Sequence, residues 1–159
     1  MLSALLLTSY GCRHVTVGET NKLRRETVAR SVGCVVHDPL GDQEIPTDSF
    51  ELVIDAVGGG VTRSLASRAV MPGGIFAHIG LMDSKEGLDI RKMTLQEISL
   101  IGIYTYTRED FRATVGALAG GMFGDLLRGV FLEVEHRHVG AVLGQCTSDG
   151  GSDGSASPG

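Results

Sequence analysis

Short apolar segments alternate along the chain with stretches in which apolar residues recur at helical spacing. Segments rich in β-branched and aliphatic residues predict five strands, at residues 14–17, 34–36, 50–55, 75–79 and 98–104. The periodic stretches predict helices at residues 2–10, 21–32, 61–71 and 108–119, with a short helix before residue 98. Strands and helices that alternate with short joints are typical of βαβ units, so the pattern predicts an α/β, doubly wound, mostly parallel sheet.

Local residues support these boundaries. The run Leu52-Val53-Ile54 is continuously apolar, which is typical of a strand covered on both faces. Gly33 follows a predicted helix as a C-cap glycine would. Thr107 and Asp110 have the spacing of a capping box and predict the start of the last helix.

The C-terminal part of the chain has a different composition. Residues 145–159 (QCTSDGGSDGSASPG) are rich in glycine and serine and contain almost nothing apolar, so a disordered tail is predicted over 144–159. Residues 126–143 are hard to interpret and are compatible with one or two strands or a loosely packed cover. The predicted domain is therefore residues 1–143.

Composition excludes several classes of function. The net charge of −5 disfavours a nucleic-acid partner, which needs a basic surface. No apolar run has the length that spans a bilayer, and residues 1–7 lack the basic start of a secretory signal, so no membrane association and a cytoplasmic location are expected. Three cysteines are too few for a disulfide framework or a four-thiolate zinc site.

Glu19 is the most informative polar residue, since it follows a predicted parallel strand at the edge where doubly wound sheets bind ligands. Its carboxylate could accept two hydrogen bonds from a ribose diol, or it could be a solvated acid in a turn. Arg24 could assist it from the next helix or be a surface arginine, as Arg25 is interpreted to be. Asp55 ends a strand and either caps the edge or faces a cofactor, and His78 is interpreted as a core or edge histidine with a backbone partner.

Two other motifs are weaker indicators of a binding site. Gly58-Gly59-Gly60 lies between a strand and a helix but lacks spaced glycines, so it is interpreted as a turn rather than a phosphate loop. His136 and His138 could share a strand face, but two histidines without a third ligand do not support a metal site. No catalytic and no metal-ligating residue is assigned.

Several stretches together resemble the coenzyme-binding half of the zinc-type medium-chain alcohol, polyol and threonine dehydrogenases, over about residues 1–125. Order and spacing agree throughout. The matching stretches are ALLL to GC at 4–12, VTVGETN at 15–21, RR at 24–25, residues 29–33, FELVIDAVGG at 50–59, PGGIFAHIG at 72–80, and residues 97–107 running into Asp110-Phe111.

The resemblance implies an NAD-dependent oxidoreductase that transfers a hydride between a secondary alcohol or polyol and NAD, with NADP disfavoured. It implies that Glu19 binds the adenosine ribose, that Arg24 supports it, and that the strand between Ile98 and Tyr104 pairs across a homodimer. It further places two backbone stretches beside the coenzyme, the second near nicotinamide: Ala56, Val57 and Gly58, and Ile79, Gly80 and Leu81.

The departures from that family predict an incomplete domain. The family's G-x-G-x-x-G loop would end one residue before Met1, so the chain is expected to begin at an internal methionine. The first strand of the sheet, the phosphate loop and the zinc-carrying catalytic domain would then be absent. Catalysis by this chain alone is therefore not expected, and neither is bound zinc. Loss of the central strand should make residues 14–17 and 50–55 pair directly or leave open, aggregation-prone edges. A segment within residues 130–143 that filled the gap would contradict this expectation.

Two other functional classes remain open from the sequence. A non-catalytic remnant could act as an interaction module through its sheet edges. An adenosylmethionine-dependent methyltransferase would share the acid after the second strand and the Pro-Gly-Gly before a later strand, but the stretch around residues 102–106 and its following helix fit the dehydrogenase better.

Overall fold

The computed structural model describes residues 2–119 and 141–145. These residues form an alternation of helices and strands in the predicted order. The elements are α1 (Leu2–Ser9), β1 (His14–Gly18), α2 (Lys22–Val32), β2 (Val35–His37), β3 (Phe50–Asp55), α3 (Gly60–Ala69), β4 (Val70–His78), α4 (Ile90–Leu95), β5 (Ser99–Gly102), α5 (Arg108–Ala119) and β6 (Ala141–Gln145).

Capping residues set the ends of α2 and α5, and Gly33 and the pair of Thr107 and Asp110 have the roles that the sequence predicts. Asn21 caps α2, where its side chain accepts from the Arg24 amide, and Gly33 ends the helix with a left-handed φ of 68°. Thr107 and Asp110 exchange hydrogen bonds at the start of α5. The end of α3 differs from the prediction: the helix stops at Ala69, and β4 already begins at Val70, before Pro72.

Five strands of the sheet are parallel and one is not. The order across the sheet is β2-β1-β6-β3-β4-β5. β1 pairs with β2, β3 with β4 and β4 with β5 in parallel, whereas β6 is antiparallel to both of its neighbours, β1 and β3. β1 and β3 therefore point the same way, as a doubly wound sheet requires.

The centre of the sheet corrects the prediction for the missing strand. Neither direct pairing of β1 with β3 nor a pair of open edges occurs, because β6 lies between them. His14 to Gly18 pair with Gln145 to Ala141, and Leu52 to Ile54 pair with Gly144 to Val142. A C-terminal segment thus satisfies backbone groups that would otherwise lie unpaired in the interior. Since β6 ends at Gln145, it also extends two residues beyond the predicted domain boundary at 143, and the rest of the tail lies outside the described residues.

Helices cover the two faces of the sheet at opposite ends. On one face α3 and α4 pack on β3 and β4 around Val53 and Phe76, both fully buried. On the other face α1 and α2 pack on β1 around Val15 and Val17. Ile54 joins this second cluster, and because Val53 and Ile54 are consecutive in β3 they point to opposite faces. The doubly wound α/β prediction is confirmed.

The two cysteines in the described ranges are in different states. Cys12 is disulfide-bonded, and Cys34 is a half-buried free thiol whose pKa is raised by burial.

None of the helices in the described ranges combines the length and the apolar character that crossing a bilayer requires.

Candidate functional site

Three of the parallel strands deliver loops to the same edge of the sheet. β1 ends at Gly18, β3 at Asp55 and β4 at His78, and the chain continues from them into Glu19, Ala56 and Ile79. Because parallel strands end at a common edge, the predicted site residues meet there; we call this edge the rim. Open α/β sheets bind ligands in the crevice outside the carboxyl ends of their strands.

Glu19 is buried at the β1 end of the rim, with 7% of its surface exposed. Its amide donates to the His37 carbonyl at 3.0 Å, which continues the pairing of β1 with β2. Its Oε1 accepts from the Asn21 amide at 2.9 Å, and Oε2 lies 3.5 Å from Nε of Arg24. The predicted pair of Glu19 and Arg24 therefore exists, and the carboxylate is held in a fixed position.

Arg25 corrects the interpretation of a surface arginine. Its Nη1 donates to the carbonyls of Glu19 and Thr20, at 2.8 and 2.6 Å, and Nη2 lies 2.8 Å from Oδ2 of Asp38. Arg25 thereby ties the loop after β1 to the loop after β2. The sequence signal that could have found it is the position of Asp38, directly after the strand that neighbours β1.

Asp55 organises the middle of the rim and is completely buried. Its Oδ1 accepts from the amides of Val57 and Gly58, at 3.0 and 2.8 Å, and Oδ2 accepts from the hydroxyl of Thr62 at 3.1 Å. Its carbonyl accepts from the amides that follow β4, those of Ile79 and Gly80, at 2.9 and 3.0 Å. Of the two roles left open by the sequence, the structure shows the capping one.

The loops after β3 and β4 cross with their backbones in contact. Gly58 has a φ of +72°, and a Cβ atom there would lie 2.0 Å from the Gly80 carbonyl oxygen. A Cβ on Gly80 would lie 2.1 Å from the carbonyl carbon of Val57. Only glycine fits at either position, and the flat crossing brings residues 56–58 and 79–81 into one surface. Gly59 caps α3, so the three glycines form a turn, as interpreted from the sequence.

Sequence reasoning missed Arg63, which lies in the first turn of α3 and is only 5% exposed. Its guanidinium donates to the Gly58 carbonyl and forms an ion pair with Asp83 in the loop after β4. The hydrogen bond from Arg63 to the Asp83 carboxylate is the main reason that the pKa of Asp83 lies below its ordinary value, and the Gly60 amide contributes less. No local motif signals the contact, because its partners are distant along the chain.

His78 ends β4 at the rim with its ring against Phe76, edge to face, at 6.1 Å between ring centroids. Its Nε2 lies 3.8 Å from Oδ2 of Asp55 and has no hydrogen-bond partner within the described part of the chain. The backbone partner expected for this ring is therefore not found at Nε2.

Metal ligands do not converge in the described ranges, where no group of three His, Cys, Asp or Glu side chains is placed to hold an ion. His136 and His138 lie outside those ranges. The described rim also shows that the central strand reaches it by its amino end: Ala141, the first residue of β6, pairs with Gly18. No βα turn of β6 therefore faces the crevice.

Comparison with known proteins agrees with this architecture. Residues 1–120 match the family model described as zinc-binding dehydrogenase. Among curated proteins, a probable diacetyl reductase of Saccharomyces cerevisiae is 28% identical over 129 residues, which cover 74% of this chain and 31% of that protein.

Solved structures show the same fold. Acetophenone reductase from Geotrichum candidum, in complex with NAD, has a TM-score of 0.67 at 24% identity over 76% of this chain and 35% of its own. Alcohol dehydrogenase from Thermus sp. ATN1 has a TM-score of 0.67 at 19% identity over 76% of this chain and 37% of its own. The chain thus spans about a third of the length of these relatives. Because the family model matches well over half of its residues, the chain belongs to the zinc-binding dehydrogenase family.

Proposed function

We propose that the rim binds NAD and that the chain is the coenzyme-binding part of an oxidoreductase that moves a hydride between NAD and a secondary alcohol or polyol. The observation that carries the proposal is the convergence of a buried carboxylate after β1 with two crossed backbone loops after β3 and β4. Family membership supports it, as does the similarity to a reductase solved with NAD.

Glu19 is proposed to accept the two hydroxyls of the adenosine ribose. A carboxylate has about four acceptor positions, and the contacts with Asn21 and Arg24 leave lone pairs for a diol. A 2′-phosphate would place negative charge against this buried carboxylate, so NAD is preferred to NADP. Arg24 keeps Glu19 oriented and partly balances its charge.

The crossed loops are proposed to lie beside the other half of the coenzyme. Ala56, Val57 and Gly58 offer backbone at close range, and Ile79 and Leu81 are 38% and 73% exposed beside Gly80. Exposed aliphatic side chains suit the face of a flat nicotinamide ring. NAD supplies the hydride acceptor when it is bound, and these residues would hold its ring and exclude water from one side.

Titration calorimetry of the full chain with NAD, NADP and AMP tests the proposal. We expect NAD to bind more tightly than NADP, and Glu19→Gln to weaken NAD and AMP by about tenfold, since one charge-assisted contact is lost. Glu26→Gln is the matched control, because it makes the same change on an exposed residue of α2. Tighter binding of NADP, or equal binding by the Glu19→Gln variant, would contradict the assignment.

A homodimer through residues 98–104 is proposed from the exposed edge of the sheet. All four residues of β5 are exposed, and β4 is its sole strand neighbour in the described sheet. Leu100, Ile101 and Ile103 are each more than 40% exposed along this edge, and an open apolar edge is suited to pairing with a second copy. Light scattering should show a dimer that Leu100→Lys dissociates; a monomer at high concentration would refute it.

A cytoplasmic location stays a prediction from the sequence. The disulfide at Cys12 is a feature more typical of oxidising compartments. Counting the thiols of the denatured protein after isolation under alkylating conditions tests the location: all three cysteines should react if the chain stays reduced in the cell.

A further inference from the structure

Arg63 uses every hydrogen-bond donor of its side chain, although it lies in the interior. A guanidinium has five N–H groups. Nε donates to the Glu86 carbonyl at 2.8 Å, and Nη1 donates to the carbonyls of Gly58 and Asp83, at 2.6 and 3.0 Å. Nη2 donates to the Asp83 carboxylate and to the Lys85 carbonyl. Four of the five acceptors are backbone carbonyls, so this arginine holds chain conformation.

The placement of this charge is costly unless the surroundings need it. Arg63 is the fourth residue of α3, close to the positive end of the helix dipole, where a cation is disfavoured. Asp83 compensates: one carboxylate oxygen accepts from Arg63, and the other accepts from the Gly60 amide at 3.1 Å, at the first turn of the helix. The ion pair therefore joins the start of α3 to the loop after β4.

The contacts of Arg63 connect the two crossed loops. The Gly58 carbonyl belongs to the loop after β3, and it accepts from both Arg63 and the Asp83 amide, the latter at 3.1 Å. In the same stretch the Met82 amide donates to the Val57 carbonyl at 3.1 Å. Farther along the same loop, Gly87 packs closely on Gly60: a Cβ atom on Gly87 would lie 2.1 Å from the Gly60 carbonyl oxygen.

We propose that Arg63 is a positioning residue for the nicotinamide half of the coenzyme site: it fixes the loop after β4 against Gly58 and so sets the surface formed by residues 56–58 and 79–81. This inference rests on the proposed function. Arg63 is on the side of the rim away from Glu19, since β6 and β3 separate β1 from β4. Its removal should therefore affect the two halves of the coenzyme differently.

The test compares NAD with AMP, which carries only the adenosine half. In Arg63→Met the affinity for NAD should fall by about tenfold or more, because the loops lose their fixed crossing, while affinity for AMP changes less than about twofold. Amide exchange should accelerate at Met82 and Asp83 and stay unchanged at the paired amides of β1. Arg63→Lys should not restore NAD binding, since an ammonium cannot reach five separated acceptors.

Lys92→Met is the matched control, because Lys92 reaches from α4 to the carbonyl end of α3, opposite to Arg63. Lys92 donates to the carbonyls of Ser67, Arg68 and Val70 and pairs with Asp48 at 2.7 Å, away from the loops. This variant should melt at a lower temperature but keep the ratio of NAD to AMP affinity.

The possible results separate cleanly. If Arg63→Met does not melt cooperatively, Asp83→Asn is tested in its place, because the Asp83 side chain is 46% exposed and its substitution leaves the core intact. The same selective loss of affinity for NAD is expected. Equal losses for NAD and AMP, or no loss for either, would overturn the positioning role while the proposed function stands. An unmodified chain that binds neither nucleotide would overturn the proposed function and this role together.

Discussion

Removal of β6 should abolish cooperative folding, although the strand has only five residues. A chain that ends at residue 140 leaves β1 and β3 without the neighbour that now lies between them. Their axes would be separated by two strand spacings, about 10 Å, which is too far for hydrogen bonds. To pair directly, the two halves of the sheet would have to close up, and the helices packed on β1 would move with it.

The size of the effect follows from the register. β6 forms five residue pairs with β1 and three with β3. An antiparallel ladder has on average one hydrogen bond per residue pair, so about eight bonds are lost. At about 0.5–1.5 kcal/mol net for each, the loss is about 4–12 kcal/mol. Since the whole stability of a domain is about 5–15 kcal/mol, little would remain.

Urea unfolding followed by circular dichroism, with size-exclusion chromatography, measures the outcome. The chain ending at residue 140 should show no cooperative transition and should self-associate through its open strands. A chain ending at Thr147 keeps β6 and is the control; it should unfold like the full chain. Leu143→Pro should act like the deletion, because it removes an amide from a strand that is paired on both sides. A cooperative, monomeric 1–140 chain within about 1 kcal/mol of the full chain would refute the reasoning, and would mean that β1 and β3 pair directly.

Three further predictions concern the rim and the metal content. Gly58→Ala should destabilise the chain by more than about 3 kcal/mol in chemical unfolding, since it combines a left-handed φ with a backbone clash; Gly102→Ala, with open space around its Cβ position, should cost less than about 0.5 kcal/mol, and equal effects would contradict the crossing of the loops. The Asp83 carboxyl, titrated by NMR, should have a pKa below the ordinary 3.8 because Arg63 donates to it, and Arg63→Met should raise that pKa. Because the pKa of Asp83 is lowered in the folded state, the stabilisation that this carboxylate contributes is present above its unfolded-state pKa and is lost as the pH falls through its folded-state pKa. A pKa of Asp83 that Arg63→Met leaves unchanged would argue against the ion pair. Metal analysis after dialysis against a weak chelator should find well under one zinc per chain, and a stoichiometric amount would direct attention to the residues outside the described ranges.

The hydrophobic pattern by itself determined most of the elements and the class of fold. The predicted strand at residues 50–55 and the predicted helix at 108–119 have the bounds that the structure shows for β3 and α5. These features are local: a run of apolar residues, a capping side chain or a glycine in the left-handed region acts within a few residues of itself. The positions of Glu19 and Asp55 at one edge followed as well, because parallel strands must end together.

What fills the centre of the sheet was decided only by the tertiary structure. The segment Ala141–Gln145 crosses the predicted boundary between residues 126–143, which are compatible with one or two strands, and the glycine- and serine-rich tail, yet it pairs with two strands at once. Its place depends on the backbone groups of β1 and β3 that it pairs with, and these lie far from the segment in the sequence. Antiparallel pairing also needs no crossover helix, so a C-terminal segment could enter the gap from the rim.

The contacts of Arg63 and Arg25 show the same limit at the level of side chains. Arg63 reaches Asp83, Lys85 and Glu86 across twenty or more residues, and most of its acceptors are carbonyls that every residue type carries. No residue pattern marks such partners, whereas a carboxylate after a strand is visible in the sequence. Sequence therefore determined which groups lie at the rim, and only the folded chain decided which of them hold its loops, because those hydrogen bonds exist only after the loops have crossed.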